Sequence, residues 1–120
     1  MIIIRAMAQF FCKTEKSNDV FIVRAEGYLD EVAGQMIRTA IEGAFEKGVL
    51  KFVLNFFNSP VINSPGVAQI IEIVEIMVEE RNCRVAYVGL TELTRSLFKM
   101  VGLMKLGKDF PDEATALKSF

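Results

Sequence analysis

Lys51-Phe52-Val53-Leu54-Asn55-Phe56-Phe57 is a nearly continuous apolar run, and the turn-rich stretch Asn58-Ser59-Pro60-Val61-Ile62-Asn63-Ser64-Pro65-Gly66 follows it directly. A short apolar run bounded by turn residues is the pattern of a strand buried on both faces, as in sheets covered by helices. This segment is therefore read as a central strand. The stretch after it carries a local echo, Asn-Ser-Pro twice, and leads into a helix expected from Pro65 to about Arg81. Ser64 is expected to cap that helix, with Pro65 as its first residue, because proline's missing N–H costs nothing there.

Working outward, Arg84-Val85-Ala86-Tyr87-Val88 reads as a second buried strand. Thr91 is expected to cap a helix ending near Gly102, Leu106 to Phe110 to add a short strand, and Asp112 to cap a last helix through Leu117. On the other side, Ala33, Met36, Ile37, Ala40, Ile41, Ala44 and Phe45 recur at helical steps after Asp30, a fitting N-cap, and Gly48 marks the stop. Before them, Ala6 to Thr14 and Val20 to Ala25 read as a hairpin whose turn residues are Glu15 to Asp19. Strands and helices alternate after that hairpin. The expectation is an α/β fold: a mixed central sheet of about four to five strands flanked by about four helices, with mostly parallel core strands.

The 120 residues leave room for one domain, spanning 1–120. With 14 Lys+Arg against 15 Asp+Glu there is no basic excess of the kind that grips phosphates, so nucleic acid is not an expected partner. The chain has no histidine, which removes the commonest general base and the commonest metal ligand. Cys12 and Cys83 show no C-x-x-C spacing and read as small core residues in a reducing compartment. No run approaches the length of a membrane span, and the apolar start Met1-Ile2-Ile3-Ile4 is too short for a signal-peptide core. A cytoplasmic protein without direct membrane insertion is expected. The mean hydropathy of +0.33 suggests that a partner covers some apolar surface. A homo-oligomer stays open, since Met1 to Ile4 could pair with another chain's sheet edge as well as with its own.

No Gly-rich phosphate-binding pattern occurs among the eight glycines, and Glu72, Glu75, Glu79 and Glu80 read as a solvated helix face rather than a catalytic pair. No catalytic set, cofactor site or metal site is expected. A nucleophile at Ser64 or Cys83 would have no histidine to activate it. Placed at 100° per residue, Val67, Ile70, Ile71, Val74, Met77 and Val78 form one stripe of the second helix, while Ile73 and Ile76 fall on the far side and are expected to be exposed. Ser64 is the most informative position. Its hydroxyl is a natural cap, and a phosphate added there would sit at the positive end of the helix dipole.

The order of elements and three short motifs resemble the STAS domain, the fold of bacterial anti-sigma factor antagonists. Gly27-Tyr28-Leu29-Asp30 is similar to the family's Gly-x-Leu-Asp, Phe52-Val53-Leu54-Asn55 to its apolar strand ending in Asp, and Asn63-Ser64-Pro65-Gly66 to its Asp-Ser-x-Gly loop. The resemblance extends through Val85 to Leu90, Val101-Gly102-Leu103 and Asp112-Glu113-Ala114, and so covers essentially the whole chain. It implies a binding switch rather than an enzyme: a module that binds an anti-sigma factor or a switch serine kinase and is released when the loop serine, here Ser64, is phosphorylated. The candidate partner-binding residues are Asn63, Ser64, Pro65, Gly66, Val67, Gln69, Ile73 and Ile76. Both acidic positions of the family pattern are amides here, Asn55 and Asn63, and Pro65 follows the serine. These departures favour an alternative, a non-phosphorylated STAS accessory module of a transport complex or a signalling scaffold.

Overall fold

The computed structural model describes residues 9–120; the expectations placed on Met1 to Ala8 lie outside the described residues. Five strands form one sheet in the order β1-β2-β3-β4-β5. Strand β1 (Phe11–Ser17) and β2 (Val20–Glu26) make an antiparallel hairpin, and β3 (Lys51–Asn58), β4 (Arg84–Val88) and β5 (Gly107–Phe110) follow in parallel. The run at Lys51 is thus the middle strand. The hairpin turn is shorter than expected: Ser17 pairs with Val20, and Asn18 takes a left-handed φ of 54° that asparagine tolerates. Glu15 and Lys16 extend the strand because β1 is an edge, where alternating burial is not required.

The helices are α1 (Glu31–Glu46), α2 (Ser64–Glu75), α3 (Glu92–Met100), α4 (Leu103–Leu106) and α5 (Glu113–Lys118). Helix α2 continues as a π-helical turn over Ile76–Glu80, in which the Arg81 amide donates to the Ile76 carbonyl at 3.1 Å. Asp30, Thr91 and Asp112 cap α1, α3 and α5 as the sequence predicts, each accepting from the backbone N–H three residues on. The short α4 was not anticipated. It is held to β4 by Tyr87, whose buried hydroxyl donates to the Leu103 carbonyl at 2.9 Å.

Alternate residues of each central strand enter two separate cores. Val23, Ala25, Phe52, Leu54, Phe56, Val85 and Tyr87 pack under α1 to α4. Val20, Ile22, Val53, Ala86 and Val88 face the other way, where α5 supplies Ala116 and Leu117. This two-sided burial is why β3 and β4 read as continuous apolar runs.

Candidate functional site

The loop leaving β3 is stitched to the loop leaving β2. Gly27 N–H donates to the Asn58 carbonyl at 2.9 Å, Leu29 N–H to the Val61 carbonyl at 3.0 Å, and Asn63 N–H to the Leu29 carbonyl at 3.2 Å. The buried Ser59 adds a fourth bond, its hydroxyl donating to the Gly27 carbonyl at 2.7 Å. Leu29 and Ile62 form an isolated parallel bridge, which keeps the chain extended through Asn63. The helix can therefore begin only at the next residue.

That places the cap one position earlier than expected. Asn63, not Ser64, is the N-cap of α2, its Oδ1 accepting from Gly66 N–H at 2.9 Å. A cap needs an acceptor oxygen rather than a charge, so the amide suffices. Ser64 is the first helical residue. It is exposed, and its hydroxyl makes no hydrogen bond among the described residues. Pro65, at the second helical position, is exposed as well and contributes no N–H to the helix start.

The remaining candidates divide by burial. Gly66 and Val67 are buried. A Cβ on Gly66 would collide with the Leu29 carbonyl oxygen, so this glycine lets α2 close onto the β2–α1 loop. Gln69 is half-buried against α1, where a Cβ on Gly34 would stand 2.5 Å from its own Cβ. Ile73 is fully buried at 0% exposure, and Ile76 is half-buried against the same core, which corrects the expectation of two exposed isoleucines. The helical period fixes the spacing of a stripe but not how much of the helix a second neighbour covers. Close packing of α1 on α2 rotates the buried face toward Gly66, Ile70, Ile73 and Met77 and leaves Ile71 half-buried. Glu72, Glu75, Glu79 and Glu80 are exposed as expected, and Glu72 pairs with Arg38 at 2.8 Å.

Asn55 lies away from this site, on the sheet face covered by α5. Its Nδ2 donates to Glu113 Oε2 at 2.6 Å, and its Oδ1 accepts from Phe57 N–H at 2.9 Å. Arg24 closes the cluster, donating from Nε and Nη2 to the two Glu113 oxygens at 2.8 and 2.7 Å. The Arg24 contact, helped by Asn55, holds the Glu113 carboxyl below its ordinary range. An aspartate at 55 would turn one of these donors into a second carboxylate. The amide is thus explained by the α5 clamp.

Sequence reasoning missed an apolar groove beside the loop. Pro60, Val61 and Ile62 form one wall and Leu93, Leu97 and Met100 of α3 the other, enclosing about 350 Å³. Val61, Leu93 and Met100 are 58%, 81% and 82% exposed. The signal was present: Leu93, Leu97 and Met100 follow a second helical stripe, offset from the buried Thr94 and Phe98. Of the two thiols, Cys83 is buried and Cys12 half-buried, and burial pushes both up from their ordinary pKa, which leaves them poor nucleophiles.

No helix among the described residues is long and apolar enough to cross a membrane, and none of their carboxylates and thiols group as a metal site would require. No curated protein sequence matches the chain. Solved structures do match. Bacillus SpoIIAA, a cell fate determinant, in its phosphorylated form superposes with a TM-score of 0.72 at 22% identity, over 92% of this chain and 100% of that one. An anti-sigma factor antagonist from Mycobacterium paratuberculosis gives 0.76 at 18% identity, over 93% and 94%. A serine-to-glutamate variant of Moorella thermoacetica RsbS gives 0.76 at 14%, over 90% and 92%. The family model of the STAS domain matches residues 12–116. With the sheet order, the capped second helix and this match in agreement, the chain belongs to the STAS domain family.

Proposed function

We infer that this STAS domain is a regulatory protein-binding module that docks an anti-sigma factor or a switch serine kinase through the β3–α2 loop and the adjoining groove, with Ser64 as its phosphorylation site. One observation carries the reading: Asn63 has taken over the capping role, so the Ser64 hydroxyl is exposed and unengaged, on the loop whose residues Pro60, Val61 and Ile62 wall an apolar groove. A phosphate there would add about −1.5 to −2 charges to a surface whose apolar residues suit a partner. It would meet no carboxylate at position 63. Binding by Ser64, Pro65, Leu93 and Met100, with Asn63 and Gln69 at the border, would lose affinity through the desolvation cost of that charge. Gly66, Val67, Ile73 and Ile76 act behind this surface by fixing the position of α2.

The alternative reading, a module that is never phosphorylated and serves a transport complex or scaffold, also has a feature in its favour. Asn63 occupies the Gly66 N–H and Pro65 has none, so the helix start offers a phosphate little to bind. The test is capture from the native cell lysate by wild type, Ser64→Ala, Ser64→Glu and Leu93→Glu, with bound proteins identified by mass spectrometry. A kinase-like or anti-sigma partner held by wild type and Ser64→Ala, and lost with Ser64→Glu and Leu93→Glu, is the expected result. Equal recovery of a transporter or scaffold component by wild type and Ser64→Glu would refute the phosphorylation switch. Recovery unchanged by Leu93→Glu would remove the groove from the docking surface.

A further inference from the structure

At the opposite border of the sheet, β1 pairs only with β2 among the described residues and presents a seven-residue edge. In the two-residue hairpin Ser17 and Val20 close the turn as a hydrogen-bonded pair. Alternation along the antiparallel ladder then points the N–H and C=O groups of Cys12, Thr14 and Lys16 toward the open edge. Side chains alternate too: Lys13 and Glu15 lie on the α5 face of the sheet, and Cys12 and Thr14 on the α1 face. An edge of this kind is a template for another strand unless its side chains forbid the pairing.

The charges on β1 disfavour three of the central registers and favour one. In an antiparallel pairing of two identical edges around a two-fold axis, side chains opposite each other must lie on the same face, so the register can move only in steps that keep this parity. Centred on Lys13 or on Glu15, the axis places like charges directly opposite, and centred on Lys16 it does the same. Centred on Thr14, it brings Lys13 opposite Glu15 of the second copy, and Glu15 opposite its Lys13. This register also pairs all seven residues, because Thr14 is the midpoint of Phe11–Ser17. The same-chain ion pairs extend the match. Lys13 binds Glu26 at 2.9 Å and Glu15 binds Arg24 at 2.8 Å, so the row across the axis would read Glu26, Lys13, Glu15, Arg24, alternating in sign.

The other face supplies apolar surface. Cys12 and Thr14 floor a groove of about 600 Å³ walled by Val32, Gln35, Met36, Thr39 and Ala40 of α1, a lining without a single charge. Val32 and Met36 are exposed in the lone chain. Pairing at Thr14 sets two such grooves side by side across the axis, and the aliphatic stem of Lys16 from each copy, opposite Cys12 of the other, can cover part of them.

We propose that β1 is a self-association edge: two copies of this chain pair antiparallel through β1, centred on Thr14, into one continuous ten-stranded sheet. The paired edge and the α3 groove share no residue.

Sedimentation equilibrium of the full chain tests this. Wild type should show a monomer–dimer equilibrium. Lys13→Glu alone and Glu15→Lys alone each convert two attractive contacts into two repulsive ones and should weaken dimerisation by about tenfold or more. Mixing those two variants restores opposite charges at every contact and should restore association between them. Thr14→Pro removes an outward N–H at the axis without breaking the β1–β2 ladder and should leave a folded monomer. Circular dichroism and thermal melts confirm that each variant is folded. A wild type that stays monomeric through the millimolar range would overturn the proposal. Single variants that still dimerise, or a mixture that does not recover, would overturn the Thr14 register.

Discussion

Restoring the family's acid at position 55 is the sharpest test of the clamp that holds α5. In Asn55→Asp the 2.6 Å donor to Glu113 becomes a second carboxylate. The lost hydrogen bond to a charged group is worth about 1.5–3 kcal/mol. Repulsion between two unit charges about 4 Å apart adds about 1–4 kcal/mol between bulk-water and protein-surface screening. Arg24, already bidentate to Glu113, attracts the new charge and cancels much of that repulsion. The net expectation is a loss of about 2 kcal/mol at neutral pH. Urea denaturation measured from neutral pH to below the ordinary glutamate value of 4.5, through the lowered Glu113 value, is the assay. Two carboxylates in one site raise the proton affinity of the pair, so the folded variant binds more protons than its unfolded chain and gains stability as pH falls. Wild type does the reverse, since Glu113 is held low. The gap between the two should therefore narrow in acid. A variant as stable as wild type at neutral pH, or two stability curves that stay parallel, would refute the contact.

Three further outcomes follow from the same geometry. Asn63→Ala should lose about 1 kcal/mol in chemical denaturation, whereas Asn63→Asp should stay near wild type, because only an acceptor is needed to cap α2. Gly66→Ala should destabilise by about 1–3 kcal/mol, since its Cβ meets a backbone carbonyl that cannot rotate away. Glu113→Gln should lose about 1–2 kcal/mol at neutral pH; with the folded carboxyl held low, that contribution is complete above the ordinary value of 4.5, is lost as pH falls through the lowered value, and the two melting curves should converge in acid.

Much of the fold was legible because the deciding signals are local. Two-sided burial made β3 and β4 continuous, and Asp30, Thr91 and Asp112 stand immediately before the helices they cap. The candidate site was legible only in outline. Asn63 and Ser64 are adjacent residues that both cap well, and the choice between them is made by Leu29, thirty-odd residues earlier in the chain, through hydrogen bonds no local pattern encodes. Ile73 was misplaced because periodicity locates a stripe but not its width, and α2 is covered by α1 as well as by the sheet. The polar β1 was cut short since an edge strand need not alternate, and the four residues of α4 complete barely one turn, too few to show a period.

The unequal cover of the two sheet faces carries a consequence for the order in which the protein comes apart. Four helices shield one face, but Val20, Ile22, Val53, Ala86 and Val88 are shielded by one helix of six residues, tied down at its start by Glu113. A helix that short has almost no stability of its own and stays in place only through its contacts with the sheet. Amide exchange should therefore find α5 opening well before the central strands, as a small cooperative unit of its own. Each opening bares a strip of aliphatic sheet while the loop at Ser64, anchored on the other side, keeps its shape. Degradation and recognition would then begin on different faces of the same sheet.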